Sequence, residues 1–107
     1  IIQVVDGDSM TTFEGSRKIY QINPSVAATI TLPGVSGLDN LKNFKQGRSL
    51  EFYLLNESST FVVTLHIHTD DAARMSFVYN PPATLGQGLT TIIIRKNTSD
   101  VYQVIVG

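Results

Sequence analysis

Two neighbouring segments, residues 48–56 and 60–68, alternate apolar and polar side chains, and this pattern constrains the fold more than any other. Side chains of a strand point alternately to opposite faces, so each segment is predicted to be a strand with one apolar face. The polar residues 57–59 between them predict a hairpin. Its apolar face would carry seven side chains: Leu50, Phe52, Leu54, Phe61, Val63, Leu65 and Ile67. Such a face needs a second layer to cover it.

Short apolar segments separated by Gly, Pro, Asn and Asp recur along the rest of the chain about every ten residues, a spacing typical of sandwiches. Further strands are predicted at residues 1–5, 9–14, 17–22, 26–32, 74–79, 89–95 and 101–106. One short helix is predicted within residues 37–47, because Leu38, Leu41 and Phe44 are spaced three apart. Eight or nine short strands with one helix predict an all-β fold, an antiparallel β-sandwich.

The chain of 107 residues fits one domain, residues 1–107. Because Ile1 already lies in a predicted strand, we expect this domain to be a fragment of a longer chain. The net charge is −1 and no Lys/Arg cluster occurs, which argues against a nucleic-acid partner. The longest apolar run is only a few residues, so no membrane insertion is predicted.

Several predicted strands carry apolar side chains on both faces. Tyr53 and Leu55 would lie opposite Phe52 and Leu54, and the run from Ile92 to Ile94 predicts burial on both faces. One face of each sheet fills the core, and exposed apolar patches tend to mark interfaces. Self-association is therefore predicted, with the alternative that loops and the short helix cover these residues.

Four segments resemble a pattern of viral and bacteriophage fibre, spike and tail-appendage head domains. Residues 20–33 end in Leu-Pro, residues 47–56 form a Gly-led strand ending in Asn, and residues 61–65 and 100–104 resemble the strands that follow. The chain departs from the pattern in the long loop of residues 35–46 and in having Tyr102 where the family more often has Trp.

The resemblance implies a jelly-roll-like head domain at the surface of a virion. Such heads are usually homotrimers that contact other virion proteins and attach to a host-surface receptor or glycan, or take part in capsid assembly. The function expected from the resemblance is therefore structural and non-enzymatic.

His66 and His68 are two residues apart in a predicted strand, so both would point to one face. Across the axis of a trimer, such a pair from each copy could supply six imidazoles to an iron, nickel or zinc ion. The alternative is that both are solvent-facing polar residues of an amphipathic strand. Because two histidines without a third ligand are weak evidence, no cofactor is predicted for the single chain.

No catalytic constellation is evident, and no enzyme activity is predicted. Tyr79 and Asn80, next to a stiff Pro-Pro loop, are candidate binding residues that could form a rim for a sugar. The alternative is that this segment is only a rigid loop. Because a β-sandwich fits it equally, a second function stays open, a carbohydrate-binding β-sandwich module of a secreted protein.

Overall fold

A computed structural model describes residues 2–3, 18–41, 44–78, 84–98 and 101–107. The described residues form nine strands, one α-helix and one 3-10 turn. In chain order these are β1 (Ile2–Gln3), β2 (Ile19–Ile22), β3 (Ala28–Thr31), α1 (Val35–Asp39), β4 (Ser49–Asn56), β5 (Val63–His66), a 3-10 turn (Thr69–Asp71), β6 (Met75–Phe77), β7 (Thr84–Leu85), β8 (Gly88–Thr98) and β9 (Val101–Val106). Within these ranges no helix is long and apolar enough to cross a membrane.

The strands form two packed sheets, which confirms the predicted all-β sandwich. The larger sheet has the order β1-β2-β4-β8-β9-β6, and the smaller has the order β3-β5-β7. The sheets are mixed rather than antiparallel throughout, because β1–β2, β2–β4, β3–β5 and β6–β9 are parallel pairs. The jelly-roll detail is not confirmed by this strand order.

The hairpin predicted for residues 48–56 and 60–68 is wrong, although both strands exist. β4 pairs with β2 and β8 in the larger sheet, whereas β5 pairs with β3 and β7 in the smaller sheet. Alternation shows which side of a strand is apolar but does not identify the strand's partner. Phe52 of β4 and Val63 of β5 thus contribute to one core from opposite layers.

The chain winds as a coil through β2, β3, β4 and β5, passing from the larger sheet to the smaller and back. Parallel neighbours need a crossover connection: the one from β2 to β4 runs through β3, and the one from β3 to β5 runs through β4, each in the opposite sheet. In register, Ile19 of β2 lies beside Tyr53 of β4, and Ile30 of β3 lies beside Leu65 of β5. β7 and β8 then add antiparallel strands to the two layers.

The core lies between the sheets and is closed by α1. Side chains of 2% exposure or less come from both layers and from the helix. They include Tyr20, Ile22, Ile30, Leu32, Leu38, Phe52, Val63, Ile92, Ile94, Tyr102 and Val104. The core of the larger sheet is partly aromatic, with the rings of Tyr20 and Phe52 edge to face at 5.6 Å between centroids.

The helix lies earlier than predicted. α1 spans Val35–Asp39 and is capped by Asn40. Asn has poor helix propensity and suits a cap. Leu38 and Phe44 are still buried, and Leu41 packs against the core. The spacing of three therefore identified the core contacts correctly but not the length of the helix.

Other predicted strands compare well where the structure describes them. β2, β3, β6, β8 and β9 overlap the strands predicted at 17–22, 26–32, 74–79, 89–95 and 101–106. Ile92 and Ile94 are fully buried, while Ile93 on the other face is half-buried. The strand predicted at residues 9–14 lies outside the described residues.

Candidate functional site

The two histidines lie near the end of β5, but only His66 belongs to the strand. His66 is the last residue of β5 and is exposed, in register with Thr31 of β3. His68 lies beyond the strand, where it caps the 3-10 turn: its Nδ1 accepts a hydrogen bond from the backbone N–H of Asp70 at 3.1 Å. The predicted strand therefore ends two residues early, before His68.

This cap reduces what His68 could offer a metal ion. With Nδ1 engaged, only Nε2 remains as a ligand atom, and the Asp70 carboxylate is 3.6 Å from Nδ1. Within the described ranges, no three His, Cys, Asp or Glu side chains come together as metal ligands. A site shared between copies stays a prediction, and it would need one imidazole nitrogen from each of His66 and His68.

The second pair of candidate residues, Tyr79 and Asn80, lies outside the described residues. The rim that they were predicted to form for a sugar therefore stays a prediction.

A different polar cluster, made of Asp39, Arg74, Tyr102 and Lys96, lies where α1 meets the larger sheet. Asp39 is the last residue of α1, Arg74 immediately precedes β6, and Tyr102 lies in β9. The Tyr102 hydroxyl donates to Asp39 Oδ1 at 2.5 Å, and Arg74 Nη2 donates to Asp39 Oδ2 at 3.1 Å. We call this set the Asp39 cluster.

Aromatic contacts and a lysine complete the Asp39 cluster. Lys96 Nζ lies 5.4 Å from the ring centroid of Tyr102, a cation–π distance, and donates to the carbonyl of Phe44 at 3.3 Å. The rings of Phe44 and Tyr102 are 5.6 Å apart. Tyr102 is fully buried, and its ring packs in the core while its hydroxyl bonds to Asp39.

Electrostatics keep the Asp39 carboxylate ionised. The hydrogen bond from Tyr102 lowers the pKa of Asp39 below its ordinary value, and Arg74 and Lys96 act in the same direction, while burial opposes them. A carboxylate with a lowered pKa is a weak base, and here its oxygens already accept hydrogen bonds. The Asp39 cluster is therefore suited to fastening α1 to β9 and to the segment before β6 rather than to proton transfer.

We predict that Tyr102→Phe lowers the free energy of unfolding at pH 7 and makes it less dependent on pH in the acid range. A lowered folded-state pKa contributes stability above the unfolded-state value of about 3.9 and loses it as the pH falls through the folded-state value. Removing the hydroxyl should cost about 1 kcal/mol at pH 7, because hydrogen bonds to charged groups are worth about 1.5–3 kcal/mol and this site is partly exposed. The loss should shrink as the pH falls below about 4 and through the lowered folded-state pKa of Asp39, because below that pKa the carboxyl is protonated in both proteins.

The measurement is urea unfolding of both proteins between pH 7 and pH 2.5. Tyr53→Phe is the matched control, because its hydroxyl donates to Glu51 at 2.8 Å at an exposed position. The control should change the free energy of unfolding by less than about 0.5 kcal/mol at any pH. An equal loss for Tyr102→Phe at pH 7 and at pH 2.5 would contradict the assignment.

Sequence reasoning missed the Asp39 cluster for a clear reason. Its members are separated by tens of residues, and no spacing rule links a carboxylate at the end of a helix to a tyrosine in the last strand. The one available signal was a Tyr at an inward position of a strand, because a buried hydroxyl needs a hydrogen-bond partner.

Comparisons of this chain with protein-family models, with curated proteins and with solved structures find no match.

Proposed function

We propose that this domain is a non-enzymatic structural protein of a virion, the head of a fibre-like or spike-like appendage. In this role it self-associates as a homotrimer, contacts other virion proteins, and takes part in host attachment or capsid assembly at the particle surface. The proposal starts from the resemblance of residues 20–33, 47–56, 61–65 and 100–104 to such heads. The sandwich is compatible with it.

The observation that carries self-association is the apolar character of the outer face of the larger sheet. Leu89 is 57% exposed on that face, and Tyr53, Leu55, Ile93 and Ile105 beside it are only half-buried in the single chain. Such side chains are expected to gain stability from a covering partner. Because they are already partly shielded, the expected association is reversible rather than obligate.

The experiment is sedimentation equilibrium of the chain over a wide concentration range. We expect the weight-average mass to rise with concentration toward three times the monomer mass. A strictly monomeric protein at the highest concentration reached would refute the trimer.

Repeating the run with Zn²⁺, Ni²⁺ or Fe²⁺, and with a chelator, tests the shared site of His66 and His68. A mass unaffected by both would contradict that site.

A glycan array with the same protein separates this function from the alternative of a carbohydrate-binding module. Sugar binding by a monomer would favour the module, whereas a trimer that binds few or no sugars would favour a structural head. A trimer that binds a host glycan would agree with an attachment role.

A further inference from the structure

The two outer faces of the sandwich differ sharply in chemistry. On the smaller sheet, the outward residues are threonines and a histidine, aligned across the strands: Thr29 beside Thr64, Thr64 beside Thr84, and Thr31 beside His66. On the larger sheet, the four neighbouring strands β2, β4, β8 and β9 carry large apolar outward side chains interspersed with polar ones such as Gln21 and Thr91. Among the described residues this is the more apolar of the two faces, and beside the smaller sheet Val62, just before β5, is 39% exposed.

The apolar residues of the larger sheet form adjoining rows across the strands. The rows are set by the register: Leu55 lies beside Leu89, Ile19 beside Tyr53, and Ile93 beside Ile105. Burial alternates along β2, β4 and β9, and in β8 Ile92 and Ile94 on either side of Ile93 are buried. We call the six residues Ile19, Tyr53, Leu55, Leu89, Ile93 and Ile105 the outer apolar face.

The size of the outer apolar face suits a reversible interface. Four strands about 4.8 Å apart and three rows about 6.7 Å apart cover roughly 20 Å by 20 Å, about 400 Å² in plan. A stable interface buries about 800 Å² of accessible surface on each partner. The outer apolar face is about half that area, which places it with weak, transient contacts.

Two opposite charges lie beside the outer apolar face, one on β4 and one on β8. Glu51 is exposed on β4 next to Ile93, and Arg95 is exposed on β8 in the following row. The Tyr53 hydroxyl donates to Glu51 Oε1 at 2.8 Å and holds the carboxylate over the face. Glu51 and Arg95 therefore lie on adjacent strands, in neighbouring rows of the same sheet. A second copy presents the same two opposite charges, so each can meet its opposite there, whereas a partner of one uniform charge would be repelled by one of them.

We infer that copies of this chain dock through the outer face of the larger sheet, with Glu51 of one copy against Arg95 of the next. The inference deepens the proposed self-association and rests on it. In a closed three-fold ring each copy presents its Glu51 to the Arg95 of one neighbour and its Arg95 to the Glu51 of the other. In this arrangement the outward face of the smaller sheet, which includes His66, points away from the axis, so this docking and a metal site of His66 and His68 on the axis exclude each other.

Sedimentation equilibrium of variants tests the inference. Ile93→Arg and Leu89→Arg should each weaken association by about tenfold or more, because each places a charge within the apolar contact. Leu89 is already 57% exposed, so its variant should fold even if Ile93→Arg destabilises the sheet. Thr64→Arg, a half-buried outward position at the centre of the smaller sheet, is the matched control and should leave association unchanged.

Charge reversal gives an independent test of the contact between Glu51 and Arg95. Glu51→Arg and Arg95→Glu should each weaken association by about tenfold, and the double variant should restore it to within about threefold of the wild type. No recovery in the double variant would overturn the pairing of these two residues. Circular dichroism melting curves of each variant verify that it is folded.

The outcomes separate this inference from the proposed function. If the wild type is monomeric, self-association as a whole is refuted. A wild type that associates, with Thr64→Arg weakening association while Ile93→Arg and Leu89→Arg do not, keeps the proposed trimer and overturns the docking face.

Discussion

Phe52→Ala is expected to remove about 3–5 kcal/mol of the free energy of unfolding, a large part of the roughly 5–15 kcal/mol typical of a domain. Phe52 is fully buried in the central part of the larger sheet and contacts the Tyr20 ring edge to face. The substitution removes apolar contact and leaves a cavity that the two sheets can close only in part. Because the chain has no Trp, circular dichroism in urea is the suitable measurement.

Two controls accompany this variant. Phe52→Leu keeps most of the volume and should cost less than about 1.5 kcal/mol. Val26→Ala, at a position that is 56% exposed, should change stability by less than about 0.5 kcal/mol. Similar urea midpoints for Phe52→Ala and Val26→Ala would show that Phe52 is not in the core.

Asn56→Asp is expected to cost about 3–5 kcal/mol at pH 7, because it places an uncompensated charge in a buried site. Asn56 is 2% exposed at the end of β4, where the chain leaves the larger sheet. Its Nδ2 donates to the carbonyls of Phe61 at 3.0 Å and Leu85 at 3.2 Å, and its Oδ1 accepts from the N–H of Ser58 at 2.9 Å. A carboxylate would direct an oxygen at both carbonyls.

The pH dependence of Asn56→Asp distinguishes this cause from simple loss of packing. Burial beside two carbonyls should raise the pKa of the new carboxyl, so its penalty falls as the pH falls and the group becomes neutral. Relative to the wild type, the variant should therefore recover part of its stability between pH 7 and pH 4. Asn23→Asp, at an exposed position, is the control and should show no such recovery. A penalty independent of pH would contradict the proposed cause.

The sandwich was predictable because period-two alternation and turn residues report directly on local structure. β9 was predicted with its observed bounds, and the inward residues of β4 and β5 were identified correctly. These features depend only on near neighbours in sequence, so a single sequence contains them.

The pairing of β4 with β8, rather than with β5, could not be read in the same way. The corner after β4 is built by side chains that bond to the backbone: Ser58 Oγ accepts from the N–H groups of Thr60 at 3.1 Å and Phe61 at 2.8 Å. Residues 57–59 resemble a hairpin turn in composition, since Ser is common in both settings. The one signal in the sequence is Asn56, a polar residue at an inward position, which bonds to the backbone where the chain crosses between the sheets.

The candidate site likewise has features that the local sequence pattern predicts and features that it does not. The exposed position of His66 at the end of β5 follows from the alternation of the strand, and its role stays a prediction. The Asp39 cluster was not visible, because it depends on which end of the sandwich each loop occupies. That is set by the tertiary path of the chain rather than by local pattern.

The coiled path of the chain also determines which loops are neighbours. Because β2 and β4 are parallel, the connections that follow them emerge at the same end, where Glu57 N–H donates to the Ile22 carbonyl and Gln87 Nε2 donates to the Glu57 carbonyl. The return connections, which contain α1 and the 3-10 turn, gather at the opposite end. Each end of the sandwich is thus formed by segments that are distant in sequence. Substitutions at one end are expected to change its surface and to leave the core between the sheets intact.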